Sequence, residues 1–159
     1  MMTDDAWLSR LEEEHSELEL DRFDRADAWA LGRAIAERGL AESAPIAIDI
    51  RTAFGVLFHA SLPGATADND SWVAKKAATA LRFETSTALL EARVAAGGRD
   101  PMEPGWLDAA TYAVAGGAVP VRVRGVGVVA VATVSGLPSA DDHALVADAL
   151  RELASAQRD

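Results

Sequence analysis

At 159 residues, half of them hydrophobic, the chain is long enough for one domain to bury a core without metal or disulfide staples. Cysteine is absent, which excludes disulfide frameworks, thiolate metal sites and cysteine nucleophiles. The net charge of −10 is concentrated in residues 1–50, where 13 Asp and Glu face 5 Arg, while residues 51–100 hold 5 against 6; nucleic acid and anionic membrane surfaces are disfavoured as partners, leaving a small ligand, a protein or further copies of the chain.

The opening MMTDDAWLSRLEEEH has neither the basic nor the apolar segment of an export signal, and no apolar run approaches the roughly 20 residues of a membrane span, so a cytoplasmic location is expected. Trp7, Leu8, Leu11 and Leu18 recur at helical spacing behind a cap at Thr3 or Asp4, with Glu12, Glu13, Glu14 and Glu17 largely on the other side. This predicts an amphipathic first helix, either closing over the core or packing on another subunit. Glu17 to Leu20 alternates and reads as the start of an edge strand. Asp24 caps a second helix with a buried stripe of Ala28, Leu31, Ile35 and Trp29, stopped at Gly39.

After Pro45, the run IAIDI has the period of two expected of a half-buried strand, and VLFHASL, beyond a turn at Gly55, is its antiparallel partner. Asp68 to about Val94 reads as one long helix or two abutting ones, and Gly97 to Gly105 as a surface loop suited to cover a pocket. A second hairpin, VPVRV and GVGVVAVATV, turns at Arg124-Gly125. Ser139 with Asp142 three residues on predicts a capping box for the last helix, whose packing stripe is Leu145, Val146, Ala149, Leu150 and Leu153. The expected fold class is α/β in the α+β sense, a single domain over residues 1–159 with a five-stranded, mainly antiparallel sheet faced by helices.

The ordered set WLSRLEEEHSELEL, DAWALG, PIAIDIR, LFHASLPG, DNDSWVAKKA, GGAVPVRVRGVGVV and TVSGLPSADDH resembles the haem-degrading-domain family of the GlcG and HbpS type, in particular its short cytoplasmic branch, over nearly the whole chain. The resemblance implies a profilin-like three-layer sandwich, homo-oligomeric assembly, and binding or degradation of haem. One departure bears on that chemistry: where the branch usually has histidine before the glycine pair, this chain has Ala115, and the loss removes a proton shuttle or iron ligand. Ala130 likewise replaces a usual glycine.

Asp68, Asn69, Trp72 and Lys76 share helical spacing and are candidates to line a polar pocket. The chain has 13 Arg but only two Lys, adjacent at 75 and 76, and an amine on a helix wall can hold a carboxylate or act as base or Schiff-base former. The same residues also read as a cap, a packed aromatic and a lysine paired with an acid. Gly116, Gly117 and Pro120, at the entry to a strand, are the facing candidates: paired glycines allow a tight turn, or present amides to an anion. Asp141, Asp142 and His143 do not converge on a metal, because successive helical residues diverge by about 100°. No metal site is therefore expected, and no catalytic residue is assigned. Three functions follow from these residues: an oligomeric protein binding haem or another small anionic ligand between subunits, a noncatalytic scaffold docking through its acidic first helix, and an enzyme with Lys76 as base or nucleophile.

Overall fold

The structure, a computed structural model, describes residues 3–159; the two residues that begin the opening stretch lie outside them. Five helices and four strands follow one another among the described residues: α1 (Asp4–Leu18), α2 (Arg25–Ala41), β1 (Ala47–Arg51), β2 (Val56–Ser61), α3 (Ala67–Phe83), α4 (Thr87–Ala95), β3 (Ala118–Val123), β4 (Gly127–Ser135) and α5 (Ser139–Arg158). The helices begin where short polar side chains can accept the first free amides. Thr3 caps α1, Asp24 and Asp27 form a reciprocal capping box on α2, and Ser86 caps α4. The long helical stretch is broken in two at Glu84, which turns into the left-handed region at φ 51°.

The strands form a mixed α+β, profilin-like arrangement, one sheet in the order β2-β1-β4-β3 with every neighbouring pair antiparallel. The expected fifth strand is corrected here to one residue. Glu17 and Leu18 continue α1, because Glu17 bonds Arg10 two turns back at 2.8 and 2.9 Å and Leu18 prolongs the buried stripe. Only Leu20 then bridges the sheet, donating to the Arg122 carbonyl and accepting from the Arg124 amide, both at 2.9 Å.

Alternation along the strands separates two layers. Ile46, Ile48, Ile50, Val121, Ala132 and Val134 meet α2 and α5 in the principal core, whose helical side includes Leu31, Ile35, Val146 and Leu150. The other face is paler and more polar: Ala118 and Val131 receive Ala77 and Ala80 of α3, and these small side chains let the helix lie close on the sheet. A third, separate cluster of Leu11, Ala88 and Leu89, flanked by Trp7 and Leu8, joins α1 to α4. Trp29, expected in the α2 stripe, is 62% exposed and instead stands edge-on to Phe58 at 5.7 Å. The reason lies in Gly32, whose missing side chain admits the Phe58 ring against the helix and leaves the tryptophan outside it. No helix among the described residues is long and apolar enough to cross a membrane.

Candidate functional site

Lys76 points from α3 into the sheet and is only 4% exposed. Its Nζ donates to Asp142 Oδ2 at 3.0 Å and to the Val134 carbonyl at 3.3 Å. The other oxygen of Asp142 accepts the Leu137 amide at 2.9 Å, so α5 starts at Ser139 without the expected capping box and the carboxylate ties helix, strand and lysine together. Burial pushes the Asp142 carboxyl above its ordinary pKa against the opposing pull of Lys76.

The glycine pair closes this cluster. Gly117 adopts φ 137°, and a Cβ there would stand 2.4 Å from the Val134 oxygen and 2.9 Å from Lys76 Nζ. Gly116 donates its amide to Glu91 Oε2 at 3.0 Å, and Ser139 donates to the other Glu91 oxygen at 3.3 Å. An anion is therefore received at the bend, and it is the chain's own. With its amine committed to Asp142 and Val134, Lys76 offers no free charge to a ligand and no accessible lone pair to a carbonyl.

The remaining expected residues lie apart from that cluster. Asn69 accepts the Thr66 amide at 2.9 Å in a capping arrangement, Asp68 is exposed beside it, and Trp72 is 41% exposed with Lys75 Nζ 5.7 Å from its ring. Pro120 is buried on β3 beneath α1, where it lines a 20 Å³ cavity with Glu14, His15, Ser86 and Arg122. That volume holds about one water. The structure thus joins Lys76 to the glycines, leaves Asp68, Asn69 and Trp72 at the outer end of α3, and sets Pro120 under a different helix.

Beside that cavity runs a seam invisible to local spacing. His143 Nε2 lies 2.7 Å from Glu14 Oε1, both buried, Trp7 meets the imidazole edge-on at 5.9 Å, and Arg151 reaches the second Glu14 oxygen at 3.4 Å. Arg151 also donates to Glu17 at 3.0 Å. Hydrogen bonds from Arg10 and then Arg151 hold the Glu17 carboxyl at a pKa of about 2, below its ordinary 4.5. The unfolded chain binds this proton first, so the contribution to stability is complete above about pH 4.5 and is lost as the pH falls towards 2. A carboxyl-detected NMR titration is expected to place the Glu17 midpoint near the lower value, with Arg151→Gln moving it upward; an ordinary midpoint would show the bonds are not kept in solution.

Two grooves flank the β1–β2 hairpin. Thr52 Oγ1 accepts the Phe54 and Gly55 amides at 3.1 and 3.2 Å, and this staple throws the Phe54 ring outward, where it is 100% exposed. On one side Phe23, Asp24, Arg25, Phe54, Val56, Leu57 and Val129 line a groove of about 360 Å³, with Asp24 turned to the start of α2 by its bond from the Asp27 amide. On the other, Val56 and Leu81 border one of about 230 Å³. A third groove of about 800 Å³ lies between α2 and α5, but its Arg38 and Arg151 are spent on Glu152 and Asp148, each at 2.7 Å. Four acids against two arginines make it unsuited to an anion.

Residues 23–151 match the family model described as haem degrading protein HbpS-like. The chain belongs to this HbpS-like family. Among its relatives, a UPF0303 protein of Streptomyces coelicolor is 46% identical over 143 residues, 90% of each chain. Among solved structures, Ybr137w superposes with a TM-score of 0.84 at 32% identity over 96% of this chain and 90% of its own. A double mutant of HbpS from Streptomyces reticuli superposes with 0.64 at 25% identity over 83% and 86%.

Within this HbpS-like chain, the sequence reading overlooked Phe23, Arg25 and Phe54. Phe54 carried a readable signal, since an aromatic residue at the tip of a hairpin has nothing of its own chain to pack on. Arg25, the first residue of α2, has no such mark; its place beside Phe54 arises only when β1 and β2 pair. Ala115, where the resemblance to the short branch leads one to expect histidine, is half-buried ahead of the Gly116 bend and lines neither groove. Among the described residues no cluster of three or more His, Asp or Glu is arranged to hold a metal ion.

Proposed function

We propose that this HbpS-like chain is an assembling ligand-binding protein that takes haem or another planar, partly apolar anion. The observation that carries this reading is the 360 Å³ groove at the hairpin, where the Phe23 and Phe54 rings with Val56, Leu57 and Val129 supply apolar walls and Arg25 a cation, the one acid of the lining, Asp24, being committed to capping α2. Its volume lies within the range of small-molecule sites. The fit to a porphyrin is through ring faces and carboxylate charge. None of the lining residues is an imidazole, thioether or phenol, and His59, further along β2, is engaged with Asp70 at 2.7 Å. Haem bound there would bring its iron chemistry with it, while this chain would supply contact, orientation and charge.

Titration with hemin and, separately, with metal-free protoporphyrin IX tests the reading through the Soret band. Both are expected to bind with similar affinity, and Phe54→Ser or Arg25→Gln to weaken each roughly tenfold. Absence of any spectral change, or binding indifferent to both substitutions, would overturn the groove as the site. A loss seen only with Trp72→Ala would transfer it to the outer end of α3, beside Asp68 and Asn69 and apart from the buried Lys76, Gly116 and Gly117 cluster.

A further inference from the structure

The strand β2 ends the sheet, and nothing among the described strands pairs with its outer side. Leu62 donates to Ile46 at 2.9 Å, and antiparallel alternation then turns the amides and carbonyls of Phe58 and Ala60 inward to β1 and those of His59 and Ser61 outward. An exposed edge is usually guarded by lysine, proline or an inward-pointing charge. Within Val56–Ser61 there is none, Pro63 lying past the strand's end, and residues 52–67 contain no Asp, Glu, Lys or Arg in a chain of net charge −10. Of the acids near the strip, Asp24 caps α2 and Asp70 bonds His59, while Asp68 stands exposed at its far end. Large apolar side chains border it as well, with Trp29 62% and Val56 56% exposed.

From these observations we infer that the outer edge of β2 is where two copies of this chain meet, β2 against β2 in antiparallel register about a twofold axis. A strand paired antiparallel with its own copy satisfies the same outward groups on both partners, which is the self-complementarity a closed dimer requires. The absence of charge supplies the reason for a second copy as occupant. Two bodies of like charge approach with least repulsion along a neutral strip, whereas a basic partner would be drawn to the acidic faces elsewhere. The continued sheet would run through eight strands, and the Phe54 grooves of both copies would open beside the joint. This inference rests on the assembling part of the function proposed above.

Sedimentation velocity on the full chain at micromolar concentration tests it, with Ser61→Pro and Trp29→Glu as variants. Proline at 61 removes an outward amide and no bond to β1, and the exposed Trp29 tolerates a charge. Wild type is expected to sediment as a dimer or a multiple of one, and each variant to halve that mass or raise the dissociation constant roughly tenfold or more, with unchanged far-ultraviolet circular dichroism. Should Ser61→Pro fail to fold, Trp29→Glu decides alone. Folded variants that remain fully assembled would overturn the β2 edge while leaving assembly standing. A monomeric wild type would overturn both, and the porphyrin titrations would still report on the groove.

Discussion

Asp142→Ala is expected to lower the unfolding free energy by about 3–5 kcal/mol, because removing one partner of a buried ion pair leaves the other charge uncompensated. Here the abandoned group is an ammonium 4% exposed, left with the Val134 carbonyl at 3.3 Å. The Leu137 amide loses its acceptor at the same time. In a chain of this length that corresponds to a fall of roughly 10 °C in Tm, readable by thermal or urea unfolding. The double variant Lys76→Met with Asp142→Leu is expected to recover most of the loss, since apolar side chains of similar size avoid desolvating two charges. A loss below about 1 kcal/mol in the single variant would mean that the amine reaches water when its partner is gone.

Gly117→Ala is expected to cost about 4 kcal/mol, combining strain in a left-handed backbone with a clash that nothing flexible can relieve. At φ 137° a side chain is already disfavoured, and its first carbon would sit 2.4 Å from the oxygen of Val134, an atom fixed in the central strand β4. Gly97→Ala separates the two causes. That residue also has positive φ, at 97°, but a Cβ there meets nothing within 4 Å, so only the conformational cost of about 1 kcal/mol is expected. Equal losses in thermal unfolding would assign the whole effect to dihedral strain and remove the clash from the account.

The parts of this structure that were legible in the sequence are those governed by short periods. Ile46, Ile48 and Ile50 announced a strand by alternation, and Ala28, Leu31 and Ile35 announced the buried side of α2. Where a local signal had a distant competitor, it misled. Ser139 and Asp142 have capping-box spacing, yet Asp142 is taken by Lys76, 66 residues away. Glu17 to Leu20 alternates, yet Glu17 is held on the helix by Arg10 and on α5 by Arg151. The buried Glu14–His143 contact spans 129 residues and has no counterpart in any local pattern. The candidate site divided along the same line: the lysine and the glycines did come together, but tertiary contact supplied the acid that closes them, and the open groove formed around Phe54 and Arg25 instead.

The attachment of the first helix has a consequence for how the molecule responds to its medium. Most of the helix rests on a small cluster separate from the principal core, which only Leu18 at its end joins, and the segment is fastened to the body by exposed pairs such as Glu12 with Arg93 and, just past the helix, Glu19 with Arg124. Such pairs fade within a Debye length of about 8 Å at physiological ionic strength, and further still in concentrated salt. The enclosed carboxylate–imidazole contact is shielded from that screening. Electrolyte therefore acts selectively, slackening the outer moorings of one segment while the central sheet, built on apolar contact, keeps its strength.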